Sequence, residues 1–480
     1  MLDKHLLRTL TACAALVALA LAAPQAVKAC GGGVICVDTD AAGAATGLSW
    51  TDAYTNVQNA LLAAEYGDTI WVAEGVYFPD QGAGQTNDAR TSTFMLRPGV
   101  TIYGGFAANE TQHTQRNPLT HITVLSGDID GNDWNTDTNT IAETWNDIVG
   151  DNAYHVVTGN GVTQTARLDG FTITAGHANA STPDDVGGGM LNLLGSPALA
   201  NLTFSGNQAE EGGGMYNSAS NLTLSTATFA GNRAGRAGGG ICNNSSHPRL
   251  TGVAFTGNQA AWGGGMGNTG SNPTLIHAAF KGNLATGIGG GGMHNGYSHP
   301  VLINTLFSGN RATYSDGGGI YNTQSSPTLI NVTLSGNQAN FGGGVRNNNS
   351  SNPALTNCIL WNNGASNTGA QLHNSADSNP TITYSDVQWN GGAYTGTGNL
   401  NANPRFATAI AATAAPTTLG DYRTLPGSPV MNAGDNSVVT TTADLSGNPR
   451  IVGVAVDMGA YEIQLAVVAS EIFLPLVLRN

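Results

Sequence analysis

The sequence predicts an all-β protein that winds into a parallel β-helix solenoid, with a helix capping its N-terminal end. A Gly- and Asn-rich phrase, FSGNQAEEGGGMYN at 204–217, appears six times at a spacing of 25–27 residues, and a repeat of that length is typical of solenoids. Each unit consists of short alternating apolar segments such as LINVTLSGN, bounded by Pro, Asn and Gly, which is a strand-and-turn pattern. The units lack the 3.6-residue apolar stripe of a helix, so helical repeats are excluded.

Each unit has the length of one coil with about three short strands, and coils of this kind stack at ~4.8 Å. Two other solenoids do not fit. Leucine-rich repeats need several leucines at tight spacing in each unit, and Ca²⁺-binding nonapeptide repeats need Asp after the glycines. This chain has Met, Ile or Val there.

The apolar residue that opens each phrase is expected to stack on its counterparts in the neighbouring coils and to form an internal column. The Asn three residues later tolerates the backbone of a bend and can join a ladder of amides along the solenoid. The GGG run supplies corners without Cβ atoms. The predicted column and ladder contain Phe204, Asn207, Phe229, Asn232, Phe255, Asn258, Phe280, Asn283, Phe307, Asn310, Leu334 and Asn337.

The two ends of the solenoid need caps, because open strand edges aggregate. An amphipathic helix at about 53–65 and a first strand, IWVAEGVY, precede the repeats, and the sequence changes character again after residue 400. We therefore divide the chain into five segments. They are a signal peptide (1–29), an N-terminal cap with the first coils (30–150), the repeats (151–400), a C-terminal module (401–465) and a short apolar tail (466–480).

Residues 1–29 have the basic start, apolar core and small-residue exit of a secretory signal peptide. We expect an exported protein that acts outside the cell or at the cell surface. A lipoprotein signal that modifies Cys30 is the alternative, although Lys28 is out of place in such a motif.

The net charge of −14 argues against nucleic acid and against electrostatic membrane binding. No later stretch reaches the ~20 apolar residues of a membrane span. We expect a monomer.

The cysteines fall into two kinds. Cys30 and Cys36 can form a small disulfide in an oxidising compartment. Cys242 and Cys358 lie about four to five coils apart, beyond the ~7 Å Cα separation that a disulfide spans. We expect the latter two to be separate thiols packed within the stack.

The sequence also resembles known families. The Phe-x-x-Asn and Gly-Gly phrases resemble polymorphic outer membrane protein repeats, and the chain is similar to bacterial right-handed β-helix proteins of the pectin-lyase-like superfamily. IWVAEGVY, YGGFAANET and LDGFTITAG resemble a recurring N-terminal region of such proteins. The stretch from GDYRTLPGSP to DMGAYE resembles the choice-of-anchor Q module, which implies surface anchoring. The resemblance implies a right-handed coil but no single activity, because this superfamily includes lyases, hydrolases, epimerases and adhesins.

The variable residues before each GGG are the candidate binding residues. At equivalent corners they would form a row along one edge, and Trp262, Tyr314 and Phe341 could stack there on sugar rings. Isolated exposed aromatic residues are also normal on protein surfaces. The repeats carry few acids, so the sequence assigns no catalytic residue.

The densest acidic stretch, GDIDGNDWNTDTN, contains Asp128, Asp130 and Asp133. Alternating oxygen ligands around a Gly-Asn turn resemble a Ca²⁺ loop, although the spacing misses the EF-hand pattern. A solvated loop is the alternative, and the sequence predicts no other cofactor.

The sequence therefore favours a secreted or cell-surface β-helix protein without catalytic activity, which contacts a polysaccharide or a cell-surface partner. The alternative is a polysaccharide lyase or glycoside hydrolase of the pectin-lyase-like fold.

Overall fold

A computed structural model of the chain describes Cys30, residues 33–135, Asp137 and residues 139–464. It confirms the right-handed parallel β-helix. The predicted signal peptide and the apolar tail lie outside the described residues. The capping helix spans Val57–Ala63, shorter than the predicted 53–65, because the Asn56 side chain accepts from the Asn59 backbone N–H and starts the helix there.

Three parallel sheets form the solenoid, and the coils between Gln208 and Thr368 contribute strands to all of them. Sheet 1 has seventeen strands, sheet 2 has seven and sheet 3 has ten. The strands of sheet 1 are Val34–Val37, Thr69–Ala73, Gly75–Tyr77, Thr101–Phe106, Thr123–Ser126, Arg167–Thr174, Ala198–Ser205, Thr223–Ala230, Arg249–Thr256, Thr274–Ile276, Ala279–Lys281, Val301–Ser308, Thr328–Ser335, Ala354–Thr356, Ile359–Trp361, Thr381–Thr383 and Asp386–Val387.

Sheets 2 and 3 carry the remaining strands of the coils. Those of sheet 2 are Gln208–Glu211, Arg233–Ala237, Gln259–Trp262, Leu284–Gly289, Arg311–Ala312, Gln338–Phe341 and Gly364–Thr368. Those of sheet 3 are Phe94–Met95, Val157–Thr158, Met190–Leu193, Met215–Ser218, Ile241–Asn244, Met266–Thr269, Met293–Gly296, Ile320–Thr323, Val345–Asn348 and Leu372–Asn374.

Short elements complete the described chain. Phe406–Thr408 pairs antiparallel with Asp421–Thr424, and 3-10 turns span His113–Gln115, Trp145–Asp147, Ala412–Ala414 and Asn436–Val438. Within the described ranges no helix has the length and hydropathy of a membrane span.

The phenylalanine rings form a continuous stack in the core. Phe204, Phe229, Phe255, Phe280 and Phe307 are fully buried, with successive ring centroids 4.4–5.2 Å apart. The third glycine of each GGG makes room for this stack: a Cβ on Gly214 would lie 2.7 Å from the Phe229 ring and 2.6 Å from the Gly240 carbonyl oxygen. Glycine is therefore required there by packing between coils as well as by the corner.

The asparagines that follow the aromatic column form a buried amide ladder. In each rung an Asn Nδ2 donates to the Oδ1 of the next coil, through Asn207, Asn232, Asn258, Asn283, Asn310, Asn337 and Asn363. Gln371 accepts from the last rung at 2.7 Å and ends the series.

A second amide ladder runs along sheet 3, and it was not predicted. Its rungs are the last residues of the MYN, ICN and related phrases: Asn192, Asn217, Asn243, Asn268, Asn295, Asn322, Asn347 and Asn374. The signal was the constant spacing of these asparagines, which matches that of the first ladder.

The cysteines behave as their positions predict. Cys30 and Cys36 form a disulfide, whereas Cys242 and Cys358 are buried and not bonded to each other. Burial raises the pKa of the Cys358 thiol to about 12, so this thiol is unreactive at neutral pH.

Candidate ligand-binding groove

A groove of about 700 Å³ crosses several coils on the outer face of sheet 1. It follows a row of bends in which the chain adopts a left-handed backbone, at Asn201, Thr226 and Gly252. One wall is the segment 113–123 of the N-terminal region. This volume is in the range of small-molecule and oligosaccharide sites.

The C-terminal segment, residues 401–464, ends the groove by covering the same row of bends in later coils. The His277 ring lies 3.0 Å from the Ala443 carbonyl oxygen through Nε2. Asn304 donates to the Thr441 hydroxyl at 2.8 Å. Asn331 and Asn357 donate to backbone carbonyls of this segment in the next two coils. The groove is therefore the part of the bend row that the C-terminal segment leaves open.

The groove is lined mainly by hydroxyl, amide and small apolar groups. Residues with these groups are Thr114, Asn117, Pro118, Leu119, Ile122, Thr123, Thr172, Asn201, Thr203, Thr226, Thr228 and Ala254. Leu119 is 88% exposed on the wall, which offers an apolar surface beside the hydroxyl groups. Asp and Glu are absent from the described residues that line the groove.

A buried ionic cluster supports one end of the groove. The two carboxylate oxygens of Asp169 accept from Arg116 at 2.6 Å and from Arg167 at 2.5 Å. The Asn201 side chain donates to the same carboxylate at 2.8 Å. Burial disfavours the charge of Asp169, but the hydrogen bonds from Asn201, Arg116 and Arg167 outweigh it and lower its pKa. Asp169 is thus held ionised and fully bonded, which suits positioning and not proton transfer.

His113 is the one histidine that lines the groove. Its ring centroid lies 4.2 Å from that of Tyr103, and its Nε2 is buried without a hydrogen-bond partner among the described residues. Burial and the charge of Arg116 lower the pKa of His113, so the ring is neutral at pH 7.

The predicted aromatic residues lie on another edge of the solenoid, where sheet 2 ends. Trp262 and Phe341 are each the last residue of their strand, and Gly289 and Asp316 occupy the corresponding positions in the two coils between them. Tyr314 is 80% exposed in the loop before Asp316. The three side chains share an edge but do not form a continuous row of rings.

The predicted acidic loop forms hydrogen bonds within itself and to 149–152. Asp130 accepts from the Asn132 side chain at 2.7 Å, and Asp133 accepts from the Val149 N–H and the Asn152 side chain at 2.6 and 2.7 Å. Burial raises the pKa of Asp128 and that of Asp133 to about 7. Among the residues with described positions, no three His, Cys, Asp or Glu side chains form a metal-ion group, so Ca²⁺ binding here stays a prediction.

Sequence reasoning missed the groove and its ionic cluster. The only local signal was Asp169 within LDGFTITAG, an acid two residues after Arg167 in the same strand. Its other partners, Arg116 and Asn201, are 53 and 32 residues away, so nothing in the sequence joins them to it.

No family model matches the chain, and no curated protein matches it. Among solved structures, it is similar to pectate lyase Pel9A at 13% identity and a TM-score of 0.45, covering 90% of this chain and 96% of that one. It is also similar to a rhamnogalacturonan lyase at 12% identity and a TM-score of 0.34, covering 74% of this chain and 87% of that one.

A third similar structure is a tailspike protein from Acinetobacter baumannii bacteriophage Fri1, described as a capsular polysaccharide depolymerase. The identity is 14% and the TM-score 0.32, covering 74% of this chain and 59% of the tailspike chain. Likeness at these identities and TM-scores transfers no activity. The strand pairing of the chain itself defines it as a parallel β-helix.

Proposed function

We propose that this chain is an exported or cell-surface β-helix protein that binds a polysaccharide in the groove on sheet 1 without cleaving it. One observation carries the proposal: the groove offers hydroxyl, amide and apolar surface, while the carboxylate beside it is bonded to two arginines and an asparagine. Sugar rings present hydroxyl groups at their edges and C–H groups on their faces, which such a surface complements.

The charges of the groove favour binding over hydrolysis. A glycosidase needs two carboxyl groups on opposite sides of the bond that it cleaves. Asp169 has both oxygens engaged, and the described lining residues provide no further carboxylate.

A lyase of the same fold is the second candidate, and His113 is the observation that favours it. A neutral histidine beside Arg116 could accept a proton at pH 7 while the guanidinium neutralises an acidic sugar. Arg116 is 10% exposed and bonded to Asp169, so it offers little free charge for this role.

The C-terminal segment is proposed to serve two roles. It covers the bend row from His277 onward, and its resemblance to a choice-of-anchor Q module supports retention at the cell surface. The repeats are proposed to be the spacer that holds the groove away from that surface. Export through residues 1–29 belongs to the same proposal.

The test incubates the full chain with neutral and acidic polysaccharides, with and without Ca²⁺, and follows both co-elution and glycan length by size-exclusion chromatography. Co-elution with unchanged glycan length is expected. Shortened glycans would establish the lyase or hydrolase alternative, and failure of every glycan to co-elute would overturn polysaccharide binding. Binding that requires Ca²⁺ would point to the loop containing Asp128, Asp130 and Asp133.

A matched pair of variants locates the site. Gly252→Tyr places a ring in the groove, at a bend where another coil already carries Tyr384 in the same left-handed conformation (φ 66° and 47°). Gly257→Tyr makes the same change five residues on, where φ is 62° and a Cβ meets nothing within 4 Å. We expect Gly252→Tyr to abolish co-elution and Gly257→Tyr to preserve it; equal behaviour of the two would place binding elsewhere.

A further inference from the structure

A second pocket, of about 430 Å³, lies outside the groove, where the ends of sheets 2 and 3 meet. The pocket exists because outward-facing positions of sheets 2 and 3 that carry a large side chain in one coil carry a small one in the neighbouring coil. In sheet 3, Tyr216 is followed by Cys242 and then Gly267. In sheet 2, Ala237 precedes Trp262. The small side chains of Ala237 and Cys242 thus form a floor between Tyr216 and Trp262.

The walls are suited to a flat ring. Tyr216 is 8% exposed and its hydroxyl lies 3.4 Å from the Asn244 side-chain nitrogen. Trp262 is half-buried and packs against the apolar cluster that contains Val186, Leu191 and Ala237. Rigid aromatic walls with an apolar floor are the surfaces on which the C–H face of a sugar ring stacks.

The rim of the pocket is acidic, and one cationic side chain, that of Arg236, lies in it. Asp185, Glu210 and Glu211 line the pocket together with a single base, Arg236. Arg236 pairs with Glu211 at 2.9 Å, and its guanidinium lies 5.2 Å from the centre of the Trp262 ring. A cation therefore fits between this carboxylate and this indole, and its position is stabilised by both.

We propose that this pocket binds a single pyranose ring that carries a free amine. The sugar ring would stack between Tyr216 and Trp262, and its ammonium group would bind the Glu211 carboxylate in place of the Arg236 guanidinium. Arg236 is 55% exposed at its side chain, so it can move into solvent when the ligand enters. The two remaining acids of the rim attract an amine and repel the carboxylate of an acidic sugar.

This proposal does not depend on the groove. The two sites share no lining residue, so a failure of one leaves the other intact, and a chain with both would bind two glycan segments at once.

The experiment titrates the full chain with glucosamine oligosaccharides and, separately, with their N-acetylated forms, by isothermal calorimetry at low salt. The amine form is expected to bind at least about tenfold more tightly, which is one decade in Kd. Equal affinity for the acetylated form would overturn the amine assignment, and no heat with either form would overturn the site.

Two variants locate the binding, and two more serve as controls. Trp262→Ala and Glu211→Gln are each expected to weaken the amine ligand about tenfold or more. Trp389→Ala, at a tryptophan that is 41% exposed and lines neither site, and Gly257→Tyr, outside both linings, are expected to leave its affinity unchanged. Glu211→Gln keeps the shape of the side chain, so full binding by this variant would overturn the proposal even if Trp262→Ala failed to fold. Equal losses in Trp262→Ala and Trp389→Ala would also contradict it.

Discussion

The stacked coils and the C-terminal segment both bury many polar groups, but they satisfy them in opposite ways. The coils repeat one neutral amide, and each rung is bonded to identical rungs above and below it. The C-terminal segment instead gathers Asp444, Arg450, Asp457 and Glu462, each no more than 5% exposed. In a neutral ladder the hydrogen bonds are distributed over many equivalent side chains. In a charged cluster, the removal of any one member leaves a buried charge without its partner.

The arginine is the centre of the C-terminal cluster. Arg450 donates to the Asp457 and Gly459 carbonyl oxygens at 2.8 and 2.7 Å and lies 3.6 Å from the Glu462 carboxylate. Asp444 and Asp457 accept backbone N–H groups from the turns around them. The cluster therefore stabilises the turns of the C-terminal segment through hydrogen bonds to their backbone, where no repeated stacking of coils does so.

The largest expected effect comes from removing the arginine. Arg450→Met leaves the buried Glu462 carboxylate without its cation and the Asp457 and Gly459 carbonyl oxygens without their donor. Breaking a buried pair in this way costs about 3–5 kcal/mol. We expect the C-terminal segment to become sensitive to proteases while residues 198–363 stay resistant. Limited proteolysis followed by mass spectrometry measures this.

The control for Arg450→Met is Arg423→Met. Arg423 pairs with Asp421, but its side chain is 65% exposed, so its removal should leave the protease pattern unchanged. If Arg450→Met and Arg423→Met gave the same protease pattern, the buried charged cluster would not be what stabilises the C-terminal segment. The proposed difference between this segment and the coils would then be wrong.

The second effect tests the junction between the last coil and the C-terminal segment by pH. Asp386 is fully buried and accepts from the Ala402 N–H at 3.0 Å. Burial raises its pKa to about 7, whereas an unfolded Asp titrates near 3.9. Between these two pKa values, Asp386 is protonated in the folded chain and ionised in the unfolded chain. The free energy of unfolding should fall as pH rises from about 4 to 7, by up to about 4 kcal/mol from this group.

Asp386→Asn cannot ionise and keeps the acceptor for Ala402. We expect the variant to lose this part of the pH dependence and to be the more stable protein above pH 7. Urea unfolding at pH 4.5 and 7.5 measures the difference, and Asp88→Asn, at an exposed position, serves as control. A parallel pH dependence in the variant and the parent chain would contradict the assignment.

The third effect compares the two amide ladders. The Asn258 side chain donates to Asn283 Oδ1 and to the Phe229 carbonyl oxygen, and it accepts from both nitrogens of Asn232. Asn268, in the second ladder, makes one bond to each neighbouring rung. More buried partners lose their bonds in the first ladder.

Asn258→Ala should therefore cost about 3 kcal/mol and Asn268→Ala about 1–2 kcal/mol, because each buried partner left unpaired adds to the penalty. Chemical denaturation of the two variants at one pH measures both values. Equal losses in the free energy of unfolding would mean that the additional hydrogen bonds of Asn258, to the Phe229 carbonyl oxygen and from the Asn232 backbone N–H, do not contribute to stability.

The smallest effect is expected in the aromatic column. Phe255 stacks on Phe229 at 5.2 Å and on Phe280 at 4.4 Å, yet the chain itself places Leu334 and Leu360 in later positions of this column. Phe255→Leu should cost about 1 kcal/mol, measured by urea unfolding. A loss as large as that of Asn258→Ala would show that ring stacking, and not only apolar volume, holds the coils in register.

The fold was predictable because its signal repeats. Phe255 or Asn258 alone predicts nothing. Six copies of an apolar residue followed three positions later by Asn, at a spacing of 25–27 residues, require identical environments one coil apart. The helix at the N-terminal end was predicted too long, since Asn56 caps it inside the amphipathic stretch. The groove could not be predicted, because Arg116, Asp169, Asn201 and Ala443 come from four separate parts of the chain.

The sequence by itself determined the coil: its period, its strands, its aromatic column and the asparagines at its bends. Equivalent residues of successive repeats lie next to each other in adjacent coils. The repeat in the sequence therefore specifies which residues are neighbours in space, and no other long-range information is needed. Only the tertiary structure decided which stretch of the bend row stays open. That depends on where the non-repeating segments 113–123 and 434–443 dock on the outer face of sheet 1, through contacts such as His277 with Ala443 that no periodicity encodes.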